Sequence, residues 1–195
     1  FEKKGNKIIE EKIANTGLTT PSAISIHKYL KFFLHKKIND IFIEASSIGI
    51  VQGRLIGCYI KTAIFTNLGH DHLDFHGNLE NLARAKALLF SSFGLEKVVC
   101  LREKKEDNFL NELIYKEISK VENKIYVEVN PENLKFINGV ILRSFLFDEK
   151  GTQVELIEGI NKTDRFTIPT IGAHNLENAA LLAGLMKINN QSINK

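Results

Sequence analysis

The sequence holds only two cysteines, Cys58 and Cys100, and no C-x-x-C pair. That excludes a zinc knuckle and a disulfide framework, each of which needs several cysteines at short spacings. Each cysteine lies at the edge of an apolar run and reads as a small core residue. No apolar run comes near the roughly 20 residues of a membrane span. The N-terminus lacks the charge, apolar run and small-residue cleavage site of a secretory signal. These absences predict a cytosolic protein with no membrane partner. Internal repeats, low-complexity tracts and long linkers are missing too, so the 195 residues read as one domain with a sizeable core. Residue 1 is Phe1 rather than Met, and the chain stops directly after a helical pattern. The expectation is a piece cut from a longer protein at both ends.

What is present is ordinary in bulk. Hydrophobic residues make up 44% and charged residues 25%, as in globular proteins, and the formal net charge is +3. A small Lys-rich excess does not require nucleic acid as a partner, and it suits an anionic substrate as a weak preference. A monomer is expected.

Along the chain, Ile8 and Ile9 suggest a short strand. Thr19-Thr20-Pro21 predicts a helix start, with a Thr cap and Pro at the first helical position. Ala23, Ile26, Leu30, Phe33 and Leu34 then follow at helical spacing. Ile41-Phe42-Ile43, Thr62 to Thr66 and Val98 to Leu101 are β-branched or apolar runs that predict strands. Helices are predicted from about Leu79 to Ser92 and from about Asn108 to Val121. Alternation of this kind predicts βαβ units and a mostly parallel sheet flanked by helices. Ile125 to Val129, Val140 to Phe147 and Thr152 to Ile157 are strand-like, with a hairpin turn at Asp148-Glu149-Lys150-Gly151. A small antiparallel addition is therefore expected. Gly172-Ala173-His174-Asn175 opens a last helix, through about Met186.

Ligands of open α/β sheets bind at the carboxyl ends of parallel strands. Two loops predicted at that edge are rich in functional groups: residues 44–54 and residues 67–77. The second packs His70, Asp71, His72, Asp74 and His76 into seven positions. Imidazole and carboxylate together suit a divalent cation, and a polar loop capping the next helix is the plainer alternative. The spacing comes close to His-x-His-x-Asp-His, the metal motif of metallo-β-lactamase-like hydrolases, with Phe75 as one extra residue before His76. A metal-dependent hydrolase using His70, His72, Asp74 and His76 is therefore a rival reading.

Lys86 falls in the middle of a helical stripe formed by Leu82, Leu89, Phe90 and Phe93. One reading is snorkelling, with the stem packed and the ammonium in water. The other is a desolvated amine with a lowered pKa. A neutral amine reacts with carbon dioxide to give a carbamate, an anionic oxygen ligand suited to Mg²⁺. Glu44 is read as the end of a buried strand, where a carboxylate needs a cation or partial solvation. Ser46 and Gln52 are ordinary loop residues taken singly, and Arg54 is either a surface cation or a fork for a carboxylate or phosphate. Asn175 and Asn178, at the last helix start, are placed to cap it.

The segment Glu44-Ala45-Ser46-Ser47-Ile48-Gly49-Ile50-Val51-Gln52-Gly53-Arg54 resembles the Glu-x-Ser-Ser-His-Gly-Leu-x-Gln-x-Arg segment of Mur ligases that extend the UDP-muramyl dipeptide. Phe65-Thr66-Asn67-Leu68-Gly69-His70-Asp71-His72-Leu73-Asp74-Phe75-His76-Gly77, with Ala85-Lys86 downstream, resembles their Thr-Asn-Leu-x-x-Asp-His-Leu-Asp-Tyr-His-Gly segment and its Ala-Lys. Thr19-Thr20-Pro21 and Gly172-Ala173-His174-Asn175-Leu176-Glu177-Asn178 fall in the same order. The likeness runs from about residue 15 to 186. It implies a P-loop-type α/β central domain of an ATP-dependent amide ligase of peptidoglycan precursor synthesis. There the D-glutamate carboxylate of UDP-N-acetylmuramoyl-L-alanyl-D-glutamate is phosphorylated, and the acyl phosphate is attacked by meso-diaminopimelate or L-lysine. The resemblance implies a carbamylated Lys86 holding Mg²⁺ with His72, and Glu44 serving a Mg²⁺ at the ATP phosphates. It implies contacts from Thr19, Thr20, Ser46, Gln52 and Arg54 to the muramyl dipeptide, and Asn175 and Asn178 on the nucleotide side, Asn178 near adenine.

Three departures stand out. Ile48 replaces a common His. Val99-Cys100-Leu101-Arg102-Glu103 lies where Asn-Ala-Asp-Asp is usual. No G-x-x-x-x-G-K-[ST] phosphate loop occurs in the 195 residues, and the family's phosphate loop and C-terminal ligase domain are expected upstream and downstream of them. This stretch alone is therefore not expected to ligate. A non-catalytic muramyl-peptide binding module is the third reading.

Overall fold

The computed structural model describes residues 2–4, 7–9, 15–102, 109–131, 139–158 and 162–191. They fall into two compact units, Phe1–Ile56 and Gly57–Lys195. Phe1, Glu103 and Asn108 lie outside the described residues.

The first unit begins with strands β1 (Glu2–Lys4) and β2 (Lys7–Ile9), paired antiparallel, which accounts for the strand expected at Ile8 and Ile9. Helix α1 spans Ala23–His35, and its cap is Ser22, whose hydroxyl accepts from the Ser25 amide. The cap expected at Thr20 is thus displaced by two residues. Ser22 is an equally good capping residue, and the Thr20 hydroxyl is held elsewhere. Of the expected apolar face, Ile26 is buried whereas Leu34 is exposed. Helix α2 is short, Ser47–Val51, capped by Ser46.

The strand expected at Ile41-Phe42-Ile43 is not formed. Among the described residues nothing ladders with this segment, and its side chains are 44%, 78% and 42% exposed. β-Branched and aromatic side chains favour a pleated surface, but a strand exists only where a neighbour accepts its hydrogen bonds. Glu44 therefore does not end a buried strand; it is an exposed residue in irregular chain.

The second unit is built on a six-stranded sheet: β3 (Thr62–Phe65), β4 (Lys97–Leu101), β5 (Asn123–Val129), β6 (Gly139–Asp148), β7 (Gly151–Glu158) and β8 (Lys162–Ile168). Their order in space is their order in sequence. β3 to β6 are mutually parallel; β6, β7 and β8 are antiparallel. The mostly parallel sheet and its antiparallel addition are as expected, including the turn at Glu149-Lys150. β8 was not expected. It is the last strand of the sheet, and Asp164 and Arg165 place charge on that edge.

Helices cover both faces. Helix α6 (Ala173–Ile188) lays Leu176, Ala180, Leu181, Ala183 and Leu185 on Val99, Ile125, Val127, Val140 and Leu142. On the other face α4 (Leu79–Ala87) and α5 (Phe109–Ser119) set Ala83, Ala87, Ile114 and Ile118 on Ala63, Phe65, Val98 and Cys100. Val98 and Val99 thus face opposite layers, as the period of a strand buried on both sides requires. Cys100 is fully buried, and burial pushes its thiol up to about 12; Cys58 is half-buried, and its thiol is also raised by burial. Both are free, as read from the sequence.

Helix α3 is a single turn, Leu73–His76. After α4 the chain tightens into a 3₁₀ turn, Leu88–Ser91. The stripe read from Leu82 through Phe93 breaks there, because a tighter winding rotates later side chains off the face. Leu82 and Phe90 are buried, but Phe93 is 75% exposed. No helix among the described residues is long and apolar enough to cross a membrane.

Candidate functional site

In the first unit, Thr20 organises the residues around it. It is fully buried, and its hydroxyl donates to the Glu44 carbonyl at 2.6 Å, accepts from the Ser46 amide at 2.9 Å and lies 2.9 Å from the Ser46 hydroxyl. Ser46 Oγ also accepts from the Gly49 amide at 3.2 Å, which caps α2. Arg54 donates from Nη1 to the Thr20 carbonyl at 2.6 Å, and from Nε and Nη2 to Gln52 Oε1 at 3.0 and 2.6 Å. Thr20, Ser46, Gln52, Arg54 and the Glu44 backbone therefore form one connected network. Thr19 and the Glu44 side chain are exposed beside it. Three of the five guanidinium N–H groups are occupied by these bonds, leaving donors for an anionic or carbonyl group.

Replacing Thr20 by valine keeps the shape and strands two part-buried backbone groups, the Glu44 carbonyl and the Ser46 amide. The expected loss is roughly 3 kcal/mol, against about 1 kcal/mol for Thr20→Ser, which removes only a methyl. Hydrogen exchange across residues 44–54, with a denaturant titration, measures both. A valine variant no worse than the serine variant would remove Thr20 from its organising position.

In the second unit, the loop leaving the carboxyl end of β3 meets Lys86 of α4. Lys86 Nζ donates to the carbonyls of Asn67 at 3.0 Å and Leu68 at 2.5 Å. Burial pushes this amine below its ordinary value, while the Asp71 carboxylate opposes the shift. Of the two readings open for Lys86, a desolvated amine describes it better than a snorkelling one. Asp71 belongs to the His and Asp cluster read from the sequence, whereas Asn67 and Leu68 had not been singled out, because they act through backbone carbonyls, which leave no side-chain signature.

His72 is exposed, with a left-handed backbone (φ 63°) ahead of α3, and makes no side-chain cap. His76 is buried beside it, and its peptide carbonyl is held by Asn81 Nδ2 at 2.8 Å. Burial lowers the His76 pKa; His72 and Lys86 add to that, and Asp74 opposes it. His72, Asp74 and Lys86 thus all lie within electrostatic reach of His76. The tetrad of the hydrolase reading does not converge, because His70, His72 and Asp74 are exposed while His76 turns inward. Among the described residues no three His, Cys, Asp or Glu side chains are grouped to hold a metal ion.

At α6 the helix begins at Ala173 behind Gly172, without a side-chain cap. Asn175 instead donates from Nδ2 to the Ile171 carbonyl at 2.8 Å, and Asn178 is exposed. The capping expected of these residues is not what they do. At the end of β4, where the departure from the family pattern falls, Val99 and Cys100 are core residues. Arg102 pairs with Glu128 and lies over the Tyr126 ring at 5.4 Å.

A doubly covered α/β sheet with a polar loop at the carboxyl end of its first parallel strand is the open α/β architecture in which ligands bind at that edge. Residues 2–186 match the family model of the Mur ligase middle domain, and the chain belongs to that family. It is similar to the UDP-N-acetylmuramoyl-L-alanyl-D-glutamate--2,6-diaminopimelate ligase of Janthinobacterium sp. (strain Marseille), 44% identical over 84 residues, which is 43% of this chain and 16% of that protein. The corresponding ligase of Leptospira interrogans is 39% identical over 87 residues, 45% of this chain and 17% of that one. The UDP-N-acetylmuramoyl-L-alanyl-D-glutamate--L-lysine ligase of Staphylococcus aureus (strain COL) is 43% identical over 95 residues, 47% of this chain and 19% of that one. A solved structure of a UDP-N-acetylmuramoyl-L-alanyl-D-glutamate--2,6-diaminopimelate ligase superposes with a TM-score of 0.70 at 26% identity, over 87% of this chain and 33% of that one. The matched stretches thus cover less than a fifth of the length of these curated relatives.

Proposed function

We propose that this chain is the central part of an ATP-dependent amide ligase of peptidoglycan precursor synthesis, acting in the cytoplasm. The reaction joins the third amino acid, meso-diaminopimelate or L-lysine, to UDP-N-acetylmuramoyl-L-alanyl-D-glutamate. The observation that carries this reading is Lys86, a lysine withdrawn from water and held at the carboxyl end of β3 by a loop with an Asp and two nearby histidines.

Burial lowers the Lys86 pKa from its ordinary value, the direction that favours the neutral amine carbamate formation needs. The donor set then fits Mg²⁺: Lys86 as its carbamate supplies hard oxygen, and exposed His72 supplies a nitrogen. Glu44 is assigned to a second Mg²⁺, at the ATP phosphates. When bound, these ions would neutralise the negative charges that phosphoryl transfer to a carboxylate brings together. The protein's own contribution is positioning. Thr20 and Ser46 fix the start of α2, and Gln52 and Arg54 orient N–H donors toward the dipeptide, with Thr19 alongside. Asn175 and Asn178, at the start of α6, are assigned to the nucleotide, Asn178 toward adenine.

The test is a ligation assay on a complete ligase built around this segment, with UDP-N-acetylmuramoyl-L-alanyl-D-glutamate, ATP and Mg²⁺, and each amino acid in turn. Amide product detected by mass spectrometry with one of them is expected; none with either would defeat the reading. The 195 residues alone contain no phosphate loop and should give no product under the same conditions.

A further inference from the structure

We infer that the cleft between α5, β5 and the end of β4 is a binding site for a small ligand whose planar ring carries a phosphate or a carboxylate. It shares no residue with the ligase assignment, so the two readings stand or fall separately. Arg102, which lines it, lies in the stretch where the sequence departs from the family pattern, and nothing in the ligation chemistry uses it.

The cleft measures about 560 Å³, the size of a small-molecule site, and is lined by Arg102, Glu112, Tyr115, Lys116, Ser119 and Tyr126. Glu112, Tyr115, Lys116 and Ser119 recur at helical spacing, so one stripe of α5 forms one wall. Tyr126 stands on β5, and Arg102 follows β4 directly. The rings are held before any ligand arrives. The Tyr115 hydroxyl donates to the Leu101 carbonyl at 2.8 Å, and its ring meets Phe65 edge-on at 6.0 Å. The Arg102 amide donates to the Val127 carbonyl at 2.8 Å, one step past the last ladder pair. Its guanidinium pairs with Glu128 and lies over the Tyr126 ring at 5.4 Å. These side chains therefore have little rotamer freedom left to lose on binding.

These groups suit one kind of ligand. Two tyrosines and a guanidinium plane offer flat surfaces on which a ring stacks. Two cations, Arg102 from the strand side and Lys116 from the helix side, favour a negative charge on that ring. Among the described residues the Lys116 ammonium makes no hydrogen bond or ion pair, so a ligand anion would be its partner. The Ser119 hydroxyl donates to the Lys116 carbonyl at 2.7 Å, which keeps its lone pairs for a ligand donor. An inorganic ion alone would leave the rings unused, and an uncharged ring would leave Lys116 in water. A nucleoside phosphate and an aromatic carboxylate both carry the required chemistry.

The experiment is an NMR titration of the 195-residue chain with AMP and, separately, with benzoate. Saturable shifts are expected at Arg102, Tyr115, Lys116, Ser119 and Tyr126 with at least one of them, and which one names the source. Adenosine and benzyl alcohol, which keep the ring and lack the charge, should bind at least about tenfold more weakly, the scale of one charge-assisted hydrogen bond. Arg102→Gln and Lys116→Gln should each weaken binding by about tenfold. Lys120→Gln should not, since Glu117 already holds that ammonium at 2.6 Å. Equal binding of the charged and uncharged probes overturns the site, as does inorganic phosphate binding as well as AMP. AMP shifts confined to Asn175 and Asn178 overturn it too, and speak for the ligase assignment instead. So does the absence of saturable shifts with both probes. If Arg102→Gln also moves the resonances of residues 140–156, Lys116→Gln, at an exposed position of α5, decides alone.

Discussion

Replacing Lys86 by methionine in a complete ligase built around this segment is expected to lower kcat for amide formation by about 10²–10³-fold, the scale of losing one charge-stabilising group from a phosphoryl-transfer site. Methionine is the informative substitution because its unbranched chain is close to the lysine stem in shape and lacks the amine. KM for the UDP-linked dipeptide should barely move, since Thr20, Ser46, Gln52 and Arg54 are untouched; an effect on kcat alone marks an interaction made in the transition state. Steady-state phosphate release at saturating ATP measures both constants, and a thermal melt checks folding. An unchanged kcat would take Lys86 out of the chemistry. A large fall in melting temperature would make it a structural residue instead.

Replacing Gly151 by alanine should be the most destabilising small change in the second unit. Gly151 opens β7 with φ 127°, and a Cβ there would overlap the Ile168 carbonyl oxygen and stand 2.9 Å from Pro169 Cα. These are backbone atoms, so no side chain can swing aside. The backbone strain alone is on the order of 1–3 kcal/mol. Relief of the overlap must then part β7 from β8 near the Thr152–Ile168 pairing, where Thr152 Oγ1 also holds the Thr170 carbonyl at 2.7 Å. A total of about 3–5 kcal/mol is expected, which for a chain of this size lowers Tm by about 10 °C. Lys150→Ala, one residue away in the same turn, should stay within about 0.5 kcal/mol. Differential scanning calorimetry of the pair measures the contrast, and equal melting temperatures would refute the argument.

The parts of this fold that were legible in the sequence are those where one local pattern decides the outcome. Val98 to Leu101 is apolar on both faces, as a strand between two helical layers must be, and Ile125, Val127 and Val129 alternate with Tyr126 and Glu128. The parts that were misread depend on distant partners. Ile41-Phe42-Ile43 has a strand composition and no ladder. Thr20 resembled a cap until its hydroxyl was found on Glu44, 24 residues away. β8 was missed because its first four residues, Lys162 to Arg165, are all polar. At the site, Lys86 was conspicuous as a charge on an apolar stripe, whereas its grip on two main-chain carbonyls could not be seen before the chain was folded. Membership of the Mur ligase middle domain family was legible from two loop segments, residues 44–54 and 65–77.

The strictly sequential strand order has a consequence for how the second unit is made. Each strand from β4 onward finds its neighbour already present on one side as it leaves the ribosome. No segment has to wait for a distant one to be threaded between existing strands, so loop closures stay short and the sheet can grow by addition at one edge. The step that cannot be local is α6, the last helix, which covers Val99, Ile125, Val127, Val140 and Leu142 at once. Until it docks, one whole apolar face of the growing sheet is open to water. The vulnerable moment in synthesis therefore falls between completion of β8 and arrival of α6, where a chaperone that shields apolar surface would matter most.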